Sequence, residues 1–353
     1  MSILFAILLF SFLIFIHELG HFLAAKSFGV QVNEFSMFMG PAICKKQKGE
    51  TLYAIRCIPI GGYCAMEGED GESDNPRSFS HAAWYKRLVI LVAGAAMNFL
   101  TGVVLIAVLY APAKQFVLPV IQEIAPECAF SGEVGIQPGD RLYALDGERI
   151  YTSSDFTTLL TLNPGDVHDL TVVRDGEKLT FEDLNMPRVE ITDENGNTQL
   201  RYGFSFTLVE ANFAQRWKFV WNSSWDMVRI VKLSLKMLFT GQAGLKDMSG
   251  PVGIVSQMSQ VAQESSSTWE AIQNLTYYGA MIAINLAVMN LLPIPALDGG
   301  RVVGLLLTTA IEGITRKKLN PKIEAYIHAG GMILLLALMA IIMFKDIFFI
   351  FKR

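Results

Sequence analysis

Long runs of apolar residues recur along the chain and predict helices that cross a membrane. A bilayer-spanning helix needs about 20 predominantly apolar residues. Residues 88–111 and 326–344 form two such runs without Asp, Glu, Lys or Arg, and residues 277–294 form a third. Residues 1–16 are also apolar, and this run continues into ionisable residues instead of ending. We therefore expect a polytopic α-helical membrane protein with about four transmembrane helices.

The N-terminal run leads into the sequence His17-Glu-Leu-Gly-His21, with Lys26 as the first basic residue. A signal peptide also starts with an apolar stretch, but this run lacks a basic segment before it and a small-residue cleavage site after it. Ionisable side chains are costly in lipid, so a transmembrane helix that carries them is expected to hold a functional site. We expect the first span to carry His17, Glu18 and His21 near one end.

The distribution of basic residues predicts the side of the membrane on which each loop lies. Residues 26–87 contain eight Lys or Arg residues and residues 296–325 contain five, whereas no basic residue precedes Lys26. Both loops are therefore expected in the cytoplasm. Both termini and residues 113–271 are then expected outside it, and the ionisable end of the first span lies near the cytoplasmic face.

Closely spaced turn sequences in the outer segment predict a small β-rich domain. We expect a helix at residues 154–162 between short strands. This pattern resembles that of a PDZ domain, which binds an extended peptide along a strand edge; a generic β-rich spacer is the alternative. A further strand pair is expected at residues 185–210, with Asn195-Gly196 as its turn. The other turn sequences are Gly135-Ile-Gln-Pro-Gly-Asp140, Asp146-Gly147, Asn163-Pro-Gly165 and Asp175-Gly176.

Residues 213–239 predict an amphipathic helix instead of a further span. Trp217, Trp221 and Trp225 are four residues apart, so they share one face, and basic residues are interspersed among them. Such a helix can lie in the membrane interface, or it can pack on the outer domain; the sequence favours neither. A glycine-rich loop is expected at residues 241–253, and it lacks the ending of a phosphate-binding loop.

The composition agrees with a membrane protein. Hydrophobic residues make up 52% of the 353 residues and charged residues only 18%, whereas soluble domains carry about 25% charged residues. The net charge of −4 shows no basic excess for binding nucleic acid. The four cysteines form no CxxC pair, which argues against a disulfide scaffold and a cysteine-ligated zinc site.

The sequence from His17 to His21 is an HExxH motif. Residues four apart share a helix face, so both imidazoles can reach one zinc ion. Glu18 can then act as general base toward the attacking water. Two structural histidines are the alternative, but they would need polar partners at this depth in the membrane.

A catalytic zinc ion usually has three protein ligands, and Asp298 is our candidate for the third. It is the only acidic residue in or next to another predicted span on the cytoplasmic side. Pro293 and Pro295 precede it and break the helix, which leaves irregular backbone that is tolerated only inside protein or a wet cavity. His17, His21 and Asp298 are therefore expected at similar depth.

The two motifs together, HELGH in the first span and NLLPIPALDGG at residues 290–300, resemble those of the site-2 protease family of intramembrane zinc metalloproteases. The inserted PDZ-like segment is most similar to the bacterial RseP-type branch, which acts in regulated intramembrane proteolysis. The resemblance implies a zinc ion held by His17, His21 and Asp298, with Glu18 as general base. It also implies transmembrane substrates such as anti-sigma factors and remnant signal peptides, and a bacterial cell membrane location. The chain departs from the longest members of the family in having room for only a single PDZ-like domain.

Further residues are candidates for substrate binding. Asn285 and Asn290 can hydrogen-bond an extended backbone or an oxyanion, or they can link helices. Asn98 lies between Gly94 and Gly102 on one face of the second span, which the resemblance places at the catalytic core, although packing would also explain it. Residues 51–64 are expected to form a strand with a turn at Gly61-Gly62. The edge of this strand can take up substrate by β-addition; a plain cytoplasmic hairpin is the alternative.

Two other classes of function are weighed against a protease. A non-catalytic membrane scaffold presenting a PDZ-like domain would be free to lose Glu18, so the presence of Glu18 argues against this class. A transporter would show internal repeats, which are absent from the sequence.

We expect a zinc metalloendopeptidase with the lipid bilayer and transmembrane segments as its partners. The predicted divisions are the first membrane part (1–112), the outer PDZ-like domain (113–212), the amphipathic helix and loop (213–271) and the second membrane part (272–353).

Overall fold

The computed structural model describes residues 2–69, 71, 73–124, 135–163, 165–186, 189–192, 198–244, 250–316 and 321–351. The chain forms two compact units, of which one contains residues 1–105 and 230–353 and the other residues 106–229. The first unit holds the apolar helices, and the second holds an inserted β domain. The helices of the chain in its described part are α1 (Ser2–Ser27), α2 (Trp84–Leu109), α3 (Ser153–Leu162), α4 (Phe213–Phe239), α5 (Pro251–Glu264), α6 (Thr268–Asn290), α7 (Asp298–Thr315) and α8 (Pro321–Phe351).

Three helices in the described part of the chain are long and apolar enough to cross a membrane. They run over Phe5–Ser27, Trp84–Leu109 and Ala329–Asp346, close to the first, second and fourth predicted spans. The third predicted span, residues 277–294, overlaps α6, which is less apolar because its first turns carry Glu270, Gln273 and Asn274. A membrane protein with an inserted β domain is thus confirmed, while the third predicted span, residues 277–294, stays a prediction.

The region after the third predicted span differs from the expectation. Residues 296–325 were expected to form a loop because of their basic residues, yet helix α7 begins at Asp298 within them. Its apolar residues Val302, Leu305 and Leu306 recur at helical spacing, and this periodicity is a stronger signal than the charges at its end. The prolines do end α6, at Asn290.

A long β-hairpin follows α1 in the first unit. Strands β1 (Val32–Lys48) and β2 (Thr51–Met66) are joined at Gly49-Glu50. The expected turn at Gly61-Gly62 is therefore wrong: both glycines lie inside β2, where the pairing register shifts. Glu34 pairs with both Ala65 and Leu52, so the first part of β1 lies between two segments of β2 and leaves the segment ending at Met66 on the outside.

Two clusters of buried side chains hold the first unit together. At one end of α1, Ala25 packs with the hairpin residues Val32 and Met66 and with Ile90 of α2. Nearer its N-terminus, Leu13 packs with Met258 of α5 and with α6. The ionisable part of α1 lies between these clusters, so apolar packing on both sides fixes its position.

Helix α5 is the other departure from expectation in this unit. The glycine-rich loop expected at residues 241–253 gives way to a helix that begins at Pro251, and residues 245–249 of that loop lie outside the described residues. Oδ2 of Asp346 accepts hydrogen bonds from the backbone N–H of Gly250 (2.8 Å) and Gly253 (3.0 Å). A carboxylate from α8 thus supplies the N-terminal cap, a contact between residues far apart in sequence.

The second unit contains the strands of the outer domain. The main sheet has the order β10-β3-β4-β6-β7, and β5 pairs with β4. Leu142, Leu170 and Val172 of this sheet are buried, and so are Phe156 and Leu160 of α3. The expected strand pair is present as β8 and β9, but its turn at Asn195-Gly196 lies outside the described residues. The strands are β3 (Gln115–Ile124), β4 (Arg141–Leu145), β5 (Glu148–Arg149), β6 (Val167–Arg174), β7 (Glu177–Asn185), β8 (Val189–Thr192), β9 (Thr198–Arg201) and β10 (Phe204–Glu210).

Candidate metal centre

Three side chains from two distant parts of the chain meet in the first unit. The Nε2 atoms of His17 and His21, one turn apart on α1, are 3.2 Å from each other. Oδ2 of Asp298 lies 3.1 Å from Nε2 of His17 and 3.3 Å from Nε2 of His21. The HExxH motif and the acidic residue at the start of α7 therefore form one cluster.

The protonation of this cluster fits a bound cation. Nδ1 of His21 is 2.8 Å from the backbone oxygen of Ile90, and a carbonyl only accepts, so Nδ1 carries a proton and, in the neutral ring, Nε2 carries a lone pair. Oδ2 of Asp298 is buried and has no hydrogen-bond donor among the described residues. Lone pairs that face each other at these distances repel unless a cation lies among them.

The spacing of the three atoms fits zinc. Ligands about 2.0–2.1 Å from a tetrahedral zinc ion lie about 3.3–3.4 Å from one another, close to the three distances given above. Two imidazoles and one carboxylate are a ligand set that zinc accepts, and three protein ligands leave the fourth position open, as in catalytic sites.

The loop before Asp298 is shaped by close backbone contacts. A Cβ atom on Gly299 would lie 2.3 Å from the carbonyl carbon of Leu291, and one on Gly300 would lie 2.3 Å from the oxygen of Ile294. Only glycine fits at these two positions. The sequence Asp298-Gly-Gly300 therefore lets α7 start directly under the broken end of α6, which brings the carboxylate to the histidines.

Glu18 lies next to the two histidines and faces the hairpin. A Cβ atom on Gly62 would lie 3.5 Å from Cγ of Glu18, so the outer segment of β2 passes directly over the carboxylate side chain. Glu18 is half-buried. The cluster thus combines a metal-ligand set with a carboxylate beside it and a strand edge above it.

Comparison with known proteins agrees with this arrangement. The model of peptidase family M50 matches residues 5–338. The chain belongs to peptidase family M50. A relative from Clostridium perfringens with a provisional name as a zinc metalloprotease is 36% identical over 99% of both chains. The regulator of sigma-W protease RasP from Bacillus subtilis is 28% identical over 97% of both chains, and the zinc metalloprotease RasP from Geobacillus kaustophilus is 28% identical over 98% of this chain. This M50 chain is a zinc metalloprotease of the membrane.

Some of the predicted substrate-binding residues of this M50 protease lie beside the metal cluster, and others do not. Nδ2 of Asn290 lies 3.4 Å and Nδ2 of Asn98 3.5 Å from Nδ1 of His17, so both amides adjoin the metal cluster. Asn285 has an exposed side chain on another face of α6. Gly61 has a φ of 77°, and its Cβ position faces Met39 and not Glu18.

Several contacts that shape the site were not foreseen. The carbonyl of Ile90 orients His21, and Nη1 of Arg301 on α7 donates to Oε1 of Glu69, which follows the hairpin. No local pattern predicts them, because the partners are 69 and 232 residues apart. Gly94 belongs to the small-residue face noted in the sequence, but its contact with the histidines could not be inferred from that face.

Proposed function

We propose that this M50 protease hydrolyses peptide bonds within transmembrane segments, with His17, His21 and Asp298 as zinc ligands and Glu18 as general base. The convergence of the three ligand atoms at one end of an apolar helix carries this proposal. A site at that depth meets substrates that are themselves in the membrane. The distribution of basic residues further supports an active site near the cytoplasmic face and termini outside the cytoplasm.

The side chains around the cluster fit peptide hydrolysis. Zinc, when bound, supplies a Lewis acid that polarises the scissile carbonyl. Glu18 takes a proton from the attacking water as the new C–O bond forms, and gives it to the departing amine as the C–N bond breaks. The amide of Asn290, beside His17, is the candidate to hydrogen-bond the substrate backbone near that bond, whereas Asn285 lies on another face of α6.

The hairpin supports a strand-like mode of substrate binding. A helical substrate satisfies its own amides, so its scissile segment must unwind before it can be cleaved. The outer segment of β2 near Gly62 lies over Glu18, and an unwound segment pairing with this strand would run past the carboxylate. We therefore assign the strand edge at Gly61-Gly62 to substrate binding by β-addition.

The outer regions fit roles in substrate selection and membrane attachment. The PDZ-like domain is proposed to exclude substrates whose outer part is still large. Arg216, in the first turn of α4, donates hydrogen bonds to the backbone oxygens of Tyr110 and Ala111, which directly follow the second span. This contact supports a position of the start of α4 near the membrane surface, where the exposed Trp217 and Trp221 would favour the lipid interface.

The substrate class follows from the site and from one relative. Membrane-anchored anti-sigma factors contain a transmembrane segment, and remnant signal peptides are short membrane segments, so both offer peptide bonds that a buried zinc site can reach. The Bacillus subtilis relative is named regulator of sigma-W protease RasP, and a protease named for regulating a sigma factor supports the first of these classes.

Mapping the cleaved bond tests the proposal. We would incubate detergent-purified protein with transmembrane substrates that carry helix-destabilising residues, and locate cleavage by mass spectrometry. We expect cleavage inside the apolar segment, its loss on zinc removal by a chelator, and its return with added zinc. Cleavage confined to soluble parts of the substrates would contradict an intramembrane site.

A further inference from the structure

Helix α2 contacts both histidines along a single stripe. Ile90, Gly94 and Asn98 are four residues apart, so they lie one above another on its surface. The carbonyl of Ile90 accepts from Nδ1 of His21, and Gly94 leaves room for both rings. Asn98 completes the stripe, is 1% exposed, and lies beside His17.

His17 needs an acceptor for its Nδ1 proton, just as His21 does. An imidazole that presents Nε2 to a metal carries its proton on Nδ1, and that proton needs an acceptor. For His21 the acceptor is the carbonyl of Ile90. For His17 the neighbours of Nδ1 are the side-chain amides of Asn98 (3.5 Å) and Asn290 (3.4 Å).

The two amides present nitrogen atoms to Nδ1 of His17, and this arrangement conflicts with a protonated Nδ1. Amide nitrogens only donate, so neither can accept from Nδ1–H. Oδ1 of Asn98 is meanwhile buried without a hydrogen-bond partner in the described part of the chain. Rotation of the Asn98 amide by 180° about Cβ–Cγ exchanges its oxygen and nitrogen in place, because the two ends have nearly the same shape.

We infer that Asn98 is a positioning residue for the metal ligand His17, whose Nδ1–H donates to Oδ1 of Asn98. This inference rests on the proposed function and gives Asn98 a different role from the substrate binding that the sequence suggested. One rotation gives the buried Oδ1 a donor and fixes the ring so that Nε2 faces His21 and Asp298.

Asn290 does not need this role. It is only half-buried, and Nδ1 of His17 has one proton to donate. With Asn98 as its acceptor, the amide of Asn290 stays available for the backbone of a substrate. Asn98 thus orients His17 and Asn290 binds substrate, and these two roles can be measured separately.

Zinc affinity separates the roles of the two asparagines. We would prepare the metal-free protein in detergent and measure zinc binding by competition with a chromophoric chelator, with thermal unfolding of the metal-free form as a test of folding. Asn98→Leu keeps the size but removes the acceptor, and Asn98→Asp keeps the acceptor. Asn290→Leu is the matched control beside the same ring.

We expect Asn98→Leu to weaken zinc binding about 10–100-fold, the usual effect of losing such a partner, while Asn98→Asp retains most of the wild-type affinity. Asn290→Leu is expected to bind zinc like the wild type and to raise KM for a transmembrane substrate. Wild-type zinc affinity in Asn98→Leu, or equal losses in Asn98→Leu and Asn98→Asp, would overturn the inference. Failure of the wild type itself to bind zinc would instead count against the proposed function.

Discussion

Gly94 is the residue at which α2 comes closest to the two imidazoles. A Cβ atom there would lie 2.3 Å from Nε2 of His21 and 2.8 Å from Cε1 of His17. No rotamer change on α2 relieves such a contact, because Cβ is fixed to the backbone. The rings would have to move, and Nε2 of His21 is one of the three candidate ligand atoms.

We predict that Gly94→Ala weakens zinc binding about 5- to 150-fold, since overpacking of this kind costs about 1–3 kcal/mol. Proteolysis should fall with it. Zinc titration and a cleavage assay measure the two effects. Leu100→Ala is the control, because Leu100 is on the same helix and 54% exposed. A Gly94→Ala protein with normal zinc affinity and rate would show that the rings are free to shift.

The proposed metal ligands could be picked out from the sequence because their chemistry is local or unusual. HExxH places two ligands on one face within a single helical turn. Asp298 stood out because acidic residues are rare at membrane depth. The roles of Asn98 and Ile90 were not predictable, since each depends on which part of α2 lies beside α1, and periodicity does not give the relative height of two helices.

Two carboxylates and an arginine join helices α3 and α4 in the second unit. Arg229 lies 2.5 Å from Oδ1 of Asp226 and 3.5 Å from Oδ1 of Asp155. Asp155 also accepts from the backbone N–H of Thr152 at the start of α3 (2.9 Å). Burial, with the hydrogen bond and charge of Asp155, raises the pKa of Asp226 to about 7. The folded unit therefore holds a proton that the unfolded chain releases.

We predict that this unit loses stability as the pH rises from about 4 to 7. In this range the unfolded chain ionises Asp226 while the folded unit keeps it protonated, so the free energy of unfolding falls by up to about 1.4 kcal/mol per pH unit. Hydrogen exchange of peptides from residues 106–229, corrected for the intrinsic pH dependence, measures this slope. Asp226→Asn should flatten it, and the exposed control Glu182→Gln should not; an unchanged slope in Asp226→Asn would refute the assignment.

The elements themselves were predictable where apolar periodicity is long and unbroken. Helices α1, α2 and α8 and the turn-rich β domain follow directly from the sequence. Helix α7 was missed because basic residues at its end suggested a loop, and α5 because glycines at 250 and 253 suggested one; its cap comes from Asp346. The hairpin turn was misplaced to Gly61-Gly62 because glycine pairs mark bulges as well as turns.

The orientation of the whole molecule can be tested with a single thiol. Cys44 is an exposed free cysteine on the hairpin, which the charge distribution places in the cytoplasm. We predict that a variant with Cys44 as its sole cysteine reacts with a membrane-impermeant maleimide only after the cells are permeabilised. Thr161→Cys, exposed on α3 of the second unit, is the matched control in a cysteine-free background and should react in intact cells. The opposite pattern would invert the topology.

The central claim is that Glu18 performs chemistry at a zinc ion that it does not bind. Glu18→Gln keeps the size of the side chain but removes the base. We predict that purified Glu18→Gln protein contains one zinc ion per chain, like the wild type, and cleaves a transmembrane substrate at least about 100-fold more slowly. Zinc content by mass spectrometry and cleavage rate, measured on the same preparations, decide the question. A variant that loses its zinc would make Glu18 a ligand, and a variant that cleaves at the wild-type rate would exclude it as the base.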